Sequence, residues 1–314
     1  MIVTLTPNPS IDRTISVADL EHGEVNRATD SRIDPGGKGV NVSRALTANG
    51  TDTLAVLPMG GPEGALMGQL LTDAAVAHHG VKVAGNLRMN IAVVEPDGTT
   101  TKVNEPGPVL SAADVDEMLH TVESAVGVGD WVVGCGSLPP GAPADLLAEL
   151  VARGRARGAR VAIDSSGQPM TAALAATPDL IKPNHEELEE VVGRALRTLG
   201  DVVTAARELV TGGIATVIVS LGGDGALLVT ADQVVHAIAT IETPLSTVGA
   251  GDCLLAGVLH SLAGGGSPTD ALAAGVRWGA AAVTLPGSRV PGPDDLAPIR
   301  VDVDPSPDLA RSLT

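Results

Sequence analysis

The regular alternation of short apolar segments with amphipathic helical patterns after Ser111 restricts the fold more than any other feature of this chain. A helical pattern over Ala112–Val126 precedes a strand-like segment at Trp131–Gly134, and a second one over Pro143–Arg157 precedes a strand-like Arg160–Ile163. The rhythm continues with strands at Leu180–Lys182 and Thr216–Ser220, and helices at Glu186–Val192, at Asp201–Val210 and from Asp252 and Asp270. Strands that alternate with helices predict a mostly parallel sheet with helices on both faces.

Two segments, about residues 13–33 and 85–104, depart from this rhythm. They contain short strands that alternate polar and apolar residues, and Pro96–Gly98 is a typical hairpin turn. We interpret them as a small β-sheet lid inserted at the sheet edge, so that residues 1–314 form a single domain. A helix is predicted between them at Ala65–His78, and the polar C-terminal segment 301–314 is expected to be a loose end.

Composition excludes several classes of protein. The chain has 314 residues, 44% of them hydrophobic, and its 20 basic and 37 acidic residues give a formal net charge of −17. Because nucleic-acid affinity rests largely on Lys and Arg, this balance argues against a nucleic-acid partner. No apolar run reaches the ~18 residues of a membrane span. Two cysteines without a CxxC or zinc pattern, and a start without a signal peptide, favour a cytoplasmic protein.

Residues typical of ligand-binding loops follow the predicted strands. In a parallel α/β fold, ligands bind at the carboxyl ends of the strands, where the loops lead into helices. The loops at these positions are PNPSID, GCGSLPPG, DSSG, KPNHEE, SLGGDG and VGAGD. The first loop lacks the GxGxxG of dinucleotide-dependent oxidoreductases, which argues against that class.

The segment Gly249-Ala250-Gly251-Asp252 combines small residues with an acid at a predicted helix start. Backbone amides at such a site attract anions, aided by the positive end of the helix dipole. Asp252 is well placed as a general base for phosphoryl transfer, or it is a helix cap, as Asp often is. The second Gly-rich loop, SLGGDG, suits further phosphates of a nucleotide, although no Walker P-loop is present.

Two signatures, PGGKGVNVSRAL (residues 35–46) and STVGAGD (residues 246–252), resemble those of the pfkB-type (ribokinase-like) carbohydrate kinases. The loops TLTPNPSIDRT, GSLPPG, KPNHEEL and SLGGDGAL are similar to those of its 1-phosphofructokinase and tagatose-6-phosphate kinase branch. The resemblance implies a ribokinase-like three-layer α/β/α sandwich with a lid, and a homodimer through that lid. It also implies ATP and Mg²⁺ as cofactors.

The resemblance further implies ATP-dependent phosphorylation of a ketohexose phosphate. Fructose 1-phosphate, converted to fructose 1,6-bisphosphate, is the expected substrate. Tagatose 6-phosphate and fructose 6-phosphate are alternative substrates, and a catalytically inactive sugar-phosphate sensor is the alternative from a different class.

The resemblance also assigns roles to residues on the nucleotide side. Asp252 corresponds to the catalytic base, and Gly249, Ala250 and Gly251 to the anion hole. The expected ATP-binding residues are Lys182, Asn184, Ser220, Gly222, Gly225 and Gly251. Asn184 and Glu187 correspond to a magnesium-binding NxxE motif, whereas spacing alone would place Glu187 on a solvated helix face.

On the sugar side, the resemblance implies a set of substrate-binding residues. The expected residues are Asp12, Gly36, Gly37, Lys38, Asn41, Arg88, Asn90, Asn104, Ser137 and Arg27. Arg88 would bind the phosphate of the sugar, because a guanidinium matches phosphate geometry. Leu87 differs from the small hydroxyl residue usual in the branch at that position.

Overall fold

Two sheets of unequal size organise the chain in the computed structural model, which describes residues 1–313. The strands, in chain order, are β1 (Ile2–Leu5), β2 (Ser10–Ser16), β3 (Asp30–Gly36), β4 (Thr53–Met59), β5 (His78–Lys82), β6 (Arg88–Val94), β7 (Thr100–Asn104), β8 (Trp131–Cys135), β9 (Arg160–Asp164), β10 (Leu180–Ile181), β11 (Thr216–Ser220), β12 (Ala226–Val229), β13 (Val234–Ile238) and β14 (Asp302–Asp304).

The helices pack mainly on the larger sheet. They are α1 (Lys38–Ala48), α2 (Gly61–Asp73), α3 (Ala112–Ala125), α4 (Leu146–Ala156), α5 (Gly167–Ala175), α6 (His185–Val192), α7 (Leu199–Thr211), α8 (Ala250–Ala263), α9 (Pro268–Val283) and α10 (Pro293–Leu296), with a 3₁₀ turn at Gly222–Asp224. Within residues 1–313, no helix combines the length and the apolar character needed to cross a bilayer.

The large sheet has ten strands in the order β14-β13-β12-β11-β10-β9-β8-β1-β4-β5. The seven strands from β11 to β5 are parallel to one another, and β12, β13 and β14 add an antiparallel edge. This arrangement confirms the mostly parallel sheet predicted from the strand–helix alternation.

Side chains of the central strands alternate between two apolar layers. In β8, Val132 packs with α3 and α4 on one face, whereas Trp131 and Val133 pack with α1, α8 and α9 on the other. Because successive residues of a strand point to opposite faces, a sheet covered on both sides needs such continuous apolar strands. The result is the predicted three-layer α/β/α sandwich.

The small sheet has the order β3-β2-β6-β7 and is built from two antiparallel hairpins. Strands β2 and β6 join the hairpins in parallel, so the sheet is mixed. The turn between β6 and β7 contains Gly98, whose φ of 90° a side chain would disfavour. The predicted lid segments therefore form a separate sheet beside the large one.

The structure differs from the sequence expectation at two helices and at the C-terminal segment. The expected helix Ala65–His78 is α2 at Gly61–Asp73, because Pro62 favours an earlier start and Ala75, with a φ of 55°, reverses the chain before β5. Helix α5 (Gly167–Ala175) was not predicted, since its Gly- and Pro-containing start is typical of a loop.

The C-terminal segment is docked rather than loose. Strand β14 pairs with β13, and the chain then returns to the start of α7, where Leu313 N–H donates to the Arg197 carbonyl at 3.0 Å. The Arg311 carbonyl accepts from Leu199 N–H, also at 3.0 Å. These contacts are mostly backbone hydrogen bonds, which leave no periodic apolar pattern in the sequence.

Candidate active site

The candidate active site lies where parallel strands end, next to the lid. Strand β9 ends at Asp164, and β10 is followed by Lys182. Helices α1 and α8 begin close by and present Lys38 and Asp252 from their first turns. Because the carboxyl ends of parallel strands meet at one edge of a sheet, residues distant in sequence converge here.

Asp252 lies in the first turn of α8 but does not cap it. The N-cap is Gly249, whose φ is 77°, and no side chain caps the helix. The Asp252 carboxylate is only 8% exposed, and its Oδ2 accepts a hydrogen bond of 2.9 Å from Asn41 Nδ2. The helix-cap interpretation of this residue is therefore wrong.

The surroundings of Asp252 set its acidity. Burial and, next, the negative charge of Asp164 raise the pKa of the Asp252 carboxyl to about 6, although Asn41, Lys38 and Lys182 oppose the rise. A carboxylate with this pKa is mostly ionised at neutral pH and can still accept a proton, which are the two properties of a general base.

Two lysines and two further carboxylates form an ionic cluster beside Asp252. Lys38 Nζ lies 2.7 Å from Asp164 Oδ1 and 3.3 Å from Glu187 Oε1, and Lys182 Nζ lies 3.1 Å from Asp164 Oδ2. Burial alone would raise the pKa of the Asp164 carboxyl, but the two lysines outweigh it and hold that pKa below its ordinary value. Asp164 is thus a fixed negative charge shared by both lysines, and Glu187 adds a second one beside Lys38.

Lys182 also borders the predicted anion hole. A Cβ added to Gly251 would lie 3.4 Å from Lys182 Nζ, so the ammonium group faces the backbone at the start of α8. The first-turn amides of a helix have no intrahelical acceptor and are available to an anion. The arrangement places a positive charge and backbone amides at one spot, which suits a phosphoryl group.

Asn184 and Glu187, the predicted magnesium ligands, form the capping box of α6. Asn184 Oδ1 accepts from Glu187 N–H at 2.7 Å, and Glu187 Oε2 accepts from Asn184 N–H at 2.9 Å. Glu187 Oε1 faces Lys38 instead. Within residues 1–313, no three His, Cys, Asp or Glu side chains are arranged to hold a metal ion. The metal role of the motif stays a prediction.

The lid contributes a polar wall to the site. Asp12 on β2 lies opposite Asn90 on β6, and Asp12 Oδ1 accepts hydrogen bonds from Asn90 Nδ2 at 3.0 Å and from Ser10 Oγ at 2.6 Å. A Cβ at Gly36 would collide with the Asp12 carboxylate, so a side chain at this position would displace that carboxylate. Asn104 continues the same cross-strand row opposite Asn90, at the exposed end of β7.

A cavity of about 550 Å³ opens between the lid and the loop after β8. Arg88, Asn8 and Ser137 line it, and they are linked because Arg88 Nε donates to the Asn8 carbonyl and Asn8 Nδ2 to Ser137 Oγ, both at 3.2 Å. The Oδ1 atoms of Asn8 and Asn90 are buried and accept no hydrogen bond from the described residues. The cavity thus brings the Arg88 cation together with the polar side chains of Asn8 and Ser137, which suits a phosphorylated ligand.

The predicted ATP loops lie next to each other. Asn184 forms an isolated parallel bridge with Ser220, and Ser220 N–H donates to the Pro183 carbonyl at 3.1 Å. Gly222 begins the 3₁₀ turn and Gly225 follows it, with φ of 58° and 85°. The structure therefore brings the KPN and SLGGDG segments to one edge.

Other predicted residues lie apart from these contacts. Arg27 is exposed on the loop between β2 and β3, and its side chain has no hydrogen bond or ion pair with the described part of the chain. Gly37 is the N-cap of α1 with a φ of 109°, a backbone role. Leu87, the departure from the family pattern, is buried in an apolar cluster.

Sequence reasoning missed Asp164, Asn8 and Ser10. Asp164 lies in the DSSG loop, which position alone marked as a candidate, but no residue within it was singled out. The available signal was a lone carboxylate directly at the end of an apolar strand. Asn8 and Ser10 lie in PNPSID, where turn-forming residues are common for structural reasons.

Comparison with known proteins identifies the family. The profile of the pfkB family carbohydrate kinases matches residues 5–295. The chain is 37% identical over 298 residues to the 1-phosphofructokinase of Rhodobacter capsulatus, which covers 94% of each chain. It is 36% identical over 301 residues to the ATP-dependent 6-phosphofructokinase isozyme 2 of Escherichia coli (strain K12), which covers 94% of this chain and 96% of that one.

Solved structures agree with this assignment. The phosphofructokinase-2 from Escherichia coli in complex with substrates and products superimposes with a TM-score of 0.90 at 33% identity, over 94% of this chain and 97% of that chain. The chain therefore belongs to the pfkB family of carbohydrate kinases. The resemblance stated from the sequence signatures is confirmed, and with it the assignment to the sugar kinases.

Proposed function

We propose that this kinase transfers the γ-phosphoryl group of ATP to the 6-hydroxyl of fructose 1-phosphate, giving fructose 1,6-bisphosphate. The observation that carries the proposal is the buried Asp252 carboxylate, with a pKa of about 6, beside the amides at the start of α8. Relatives named 1-phosphofructokinase, such as that of Rhodobacter capsulatus, support the choice of sugar.

Asp252 is the general base of the proposed reaction. Asn41 occupies its Oδ2, so Oδ1 is the oxygen offered to the sugar hydroxyl. As the proton moves to Asp252, the sugar oxygen forms a bond to the γ-phosphorus and the bond from that phosphorus to the leaving ADP oxygen breaks. The backbone at Gly249, Ala250 and Gly251, with Lys182 beside it, stabilises the charge on the transferred group.

The carboxylates of Asp164 and Glu187 suit Mg²⁺, which prefers oxygen ligands and keeps several waters. The Asp164 Oδ2 atom is buried without a well-formed hydrogen bond, although Lys182 lies 3.1 Å away, so this oxygen has capacity for a cation. We propose that these two residues, with the Asn184 loop, hold the ion. When bound, Mg²⁺ would neutralise charge on the triphosphate.

The lid side binds the sugar phosphate in this proposal. Arg88 takes the phosphate, with Ser137 and Lys38 nearby on the site wall, and Asp12 and Asn90 take sugar hydroxyls. The unsatisfied Oδ1 of Asn90 supports this role, because a hydroxyl is a suitable donor to it. Gly36, Gly37 and Asn41 belong to the same wall, and Asn104 and Arg27 are its outer members. Ser220, Gly222 and Gly225 hold the ATP phosphates.

We further propose that residues 1–314 act as one domain whose lid pairs with that of a second copy. The lid exposes Val25 at 80% and Val103 at 58% of their surfaces, which supports an apolar contact there. In analytical ultracentrifugation the wild type is expected as a dimer and Val103→Glu as a monomer. A monomeric wild type would contradict the lid contact.

Fructose 6-phosphate and tagatose 6-phosphate remain the alternative substrates. A relative named 6-phosphofructokinase at 36% identity supports the first of these. In the furanose form, fructose 1-phosphate and fructose 6-phosphate both carry a phosphate at one end and a primary hydroxyl at the other. The main difference that the site could recognise between the two esters is therefore the position of the anomeric hydroxyl. No sequence motif distinguishes the two esters on that basis.

The experiment that tests the proposal is an ADP-release assay over fructose 1-phosphate, fructose 6-phosphate, tagatose 6-phosphate and unphosphorylated fructose. We expect the highest kcat/KM for fructose 1-phosphate. Arg88→Gln should lower that kcat/KM roughly 10- to 100-fold, because charge-assisted hydrogen bonds to the phosphate are lost. Turnover of fructose should be unaffected by this variant.

Arg13→Gln is the matched control, because Arg13 neighbours Asp12 on β2 but is exposed. Preference for another phosphosugar would retain the mechanism and replace the substrate. No turnover of any sugar would favour the inactive sensor, against which the presence of Asp252 argues.

A further inference from the structure

The docked C-terminal segment contacts the loop proposed to hold ATP. Arg311 Nη2 lies 2.6 Å from Asp224 Oδ1, and the Asp224 side chain is only 7% exposed. Asp224 ends the 3₁₀ turn Gly222–Asp224 between β11 and β12. The Arg311 side chain is 39% exposed, so the charge-assisted hydrogen bond is half-buried and is stronger than a fully exposed one. The pair therefore joins residues 87 positions apart and fixes the turn to the tail.

The backbone of the turn is held from its other side by the sheet. Leu221 N–H donates to the Gly225 carbonyl at 2.8 Å, and the His236 ring Nε2 lies 2.7 Å from the Asp224 carbonyl oxygen. A Cβ added at Gly222 or at Gly223 would meet nothing within 4 Å. The turn is thus clamped between strand β13 and the tail, while its tip is open toward solvent.

The positive charge of Arg311 gives the C-terminal segment a second role beside Asp224. A buried carboxylate close to a polyphosphate site repels the ligand unless a cation compensates it. Arg311 supplies one such cation to Asp224 from outside the loop. The effect is local to the SLGGDG loop, because the sugar wall is built from the lid and from the loop after β8.

We propose that Arg311 is a positioning residue for the nucleoside triphosphate, acting through Asp224. It holds the 3₁₀ turn in the conformation that receives the phosphates and offsets the Asp224 charge, without itself touching the nucleotide. This inference rests on the proposed function, in which the SLGGDG loop binds ATP. The tail after β14 is then part of the nucleotide site.

The test measures equilibrium ATP binding by calorimetry without sugar, followed by KM values for ATP and for the preferred sugar phosphate. Arg311→Gln should weaken ATP binding about 5- to 30-fold, the factor that corresponds to one or two kcal/mol. The KM for the sugar phosphate should stay within about twofold, because the sugar wall is built elsewhere. Arg311→Lys should restore part of the ATP affinity, because it returns the charge without the planar fork.

Two further variants separate positioning from a merely structural role. Asp224→Asn should weaken ATP binding less than Arg311→Gln, and the double variant should match Asp224→Asn, since the carboxylate is then absent. Arg300→Gln is the matched control, because Arg300 is exposed just before β14 and its side chain has no hydrogen bond or ion pair with residues 1–313. If Arg311→Gln fails to fold, the ATP affinities of Arg311→Lys and Asp224→Asn test the inference instead.

Unchanged ATP affinity in a folded Arg311→Gln, or an equal rise in both KM values, would overturn the inference and leave the proposed function intact. A wild-type chain that binds no ATP would overturn both. Turnover of a different phosphosugar with the expected ATP effect would change the proposed substrate and support the role of Arg311.

Discussion

Replacing Asn41 by leucine should make the candidate base less acidic. Asn41 Nδ2 donates to Asp252 Oδ2 at 2.9 Å, and both side chains are buried. The orientation of the amide is fixed, because Arg44 Nη1 donates to Asn41 Oδ1 at 3.0 Å. Leucine has the same branched skeleton, although it is bulkier, and keeps water out, so it removes the donor without opening a solvated cavity. The ionised form of Asp252 then loses a hydrogen bond that lowers its pKa.

The magnitude follows from the strength of that bond. A hydrogen bond to a charged group contributes about 1.5–3 kcal/mol, and one pH unit corresponds to about 1.4 kcal/mol, so the acid limb should rise by roughly 1 to 2 in pH. From a pKa of about 6, Asp252 is roughly nine-tenths ionised at pH 7. In the variant that fraction falls to between roughly one-half and one-tenth, so kcat/KM at pH 7 drops about 2- to 10-fold and recovers at higher pH.

The assay is the pH profile of kcat/KM, which reports the ionisations of the free enzyme. Any loss that is the same at every pH belongs to the proposed contact of Asn41 with the sugar. Asn49→Leu is the matched control, because Asn49 lies at the other end of α1 and donates to backbone carbonyls. An Asn41→Leu profile that is lower throughout but has its acid limb where the wild type has it would refute the reasoning.

Three further predictions concern stability. Folding raises the pKa of Asp252 from 3.8 to about 6, so the free energy of unfolding falls as the pH rises between these two values. Above pH 6, Asp252→Asn should be inactive but more stable than the wild type by up to about 3 kcal/mol in calorimetry. Below pH 3.8 the variant should show no gain in stability. Lys182→Met should cost about 3 kcal/mol or more in denaturant unfolding, because it leaves Asp164 with one cation fewer, and adding Asp164→Asn should recover part of the loss. Gly225→Ala should cost roughly 1–3 kcal/mol and raise the KM for ATP, because its φ is 85° and a Cβ would collide with a carbonyl of β13, whereas Gly223→Ala should be nearly neutral.

The sequence was sufficient for the layers of the fold and for one side of the site. Strand–helix alternation predicts the parallel sheet, because hydrophobic periodicity is a local property of the chain. The GAGD segment likewise predicts an anion site around Asp252, because this pattern too is local in the chain. The ionic cluster is different, since Lys38 and Asp164 lie 126 positions apart, and the signature that contains Lys38 does not indicate its partner. Only the order of strands in the sheet brings them together.

Local patterns also misjudged residues whose partners lie elsewhere. The C-terminal segment has no apolar period, and its docking depends on backbone hydrogen bonds, on the packing of Leu313 against the core and on the ion pair of Arg311 with Asp224. From spacing, Glu187 is a solvated helix residue, whereas in the fold it caps α6 and faces Lys38. In both cases the decisive contact is made with a segment that the local sequence does not contain.

The two buried acids of the site have opposite pKa shifts because they share the available cations unequally. Asp164 is in direct contact with both Lys38 and Lys182, whereas the neutral Asn41 is the hydrogen-bonding partner that Asp252 has among residues 1–313. The lysines therefore keep Asp164 ionised, and the charge of Asp164 helps to raise the pKa of Asp252. Carboxylates whose environments separate their pKa values take different chemical roles. In the proposed function, an entering triphosphate would compete with Asp164 for Lys182, so nucleotide binding would exchange charge partners within the cluster while Asp252 keeps its neutral partner.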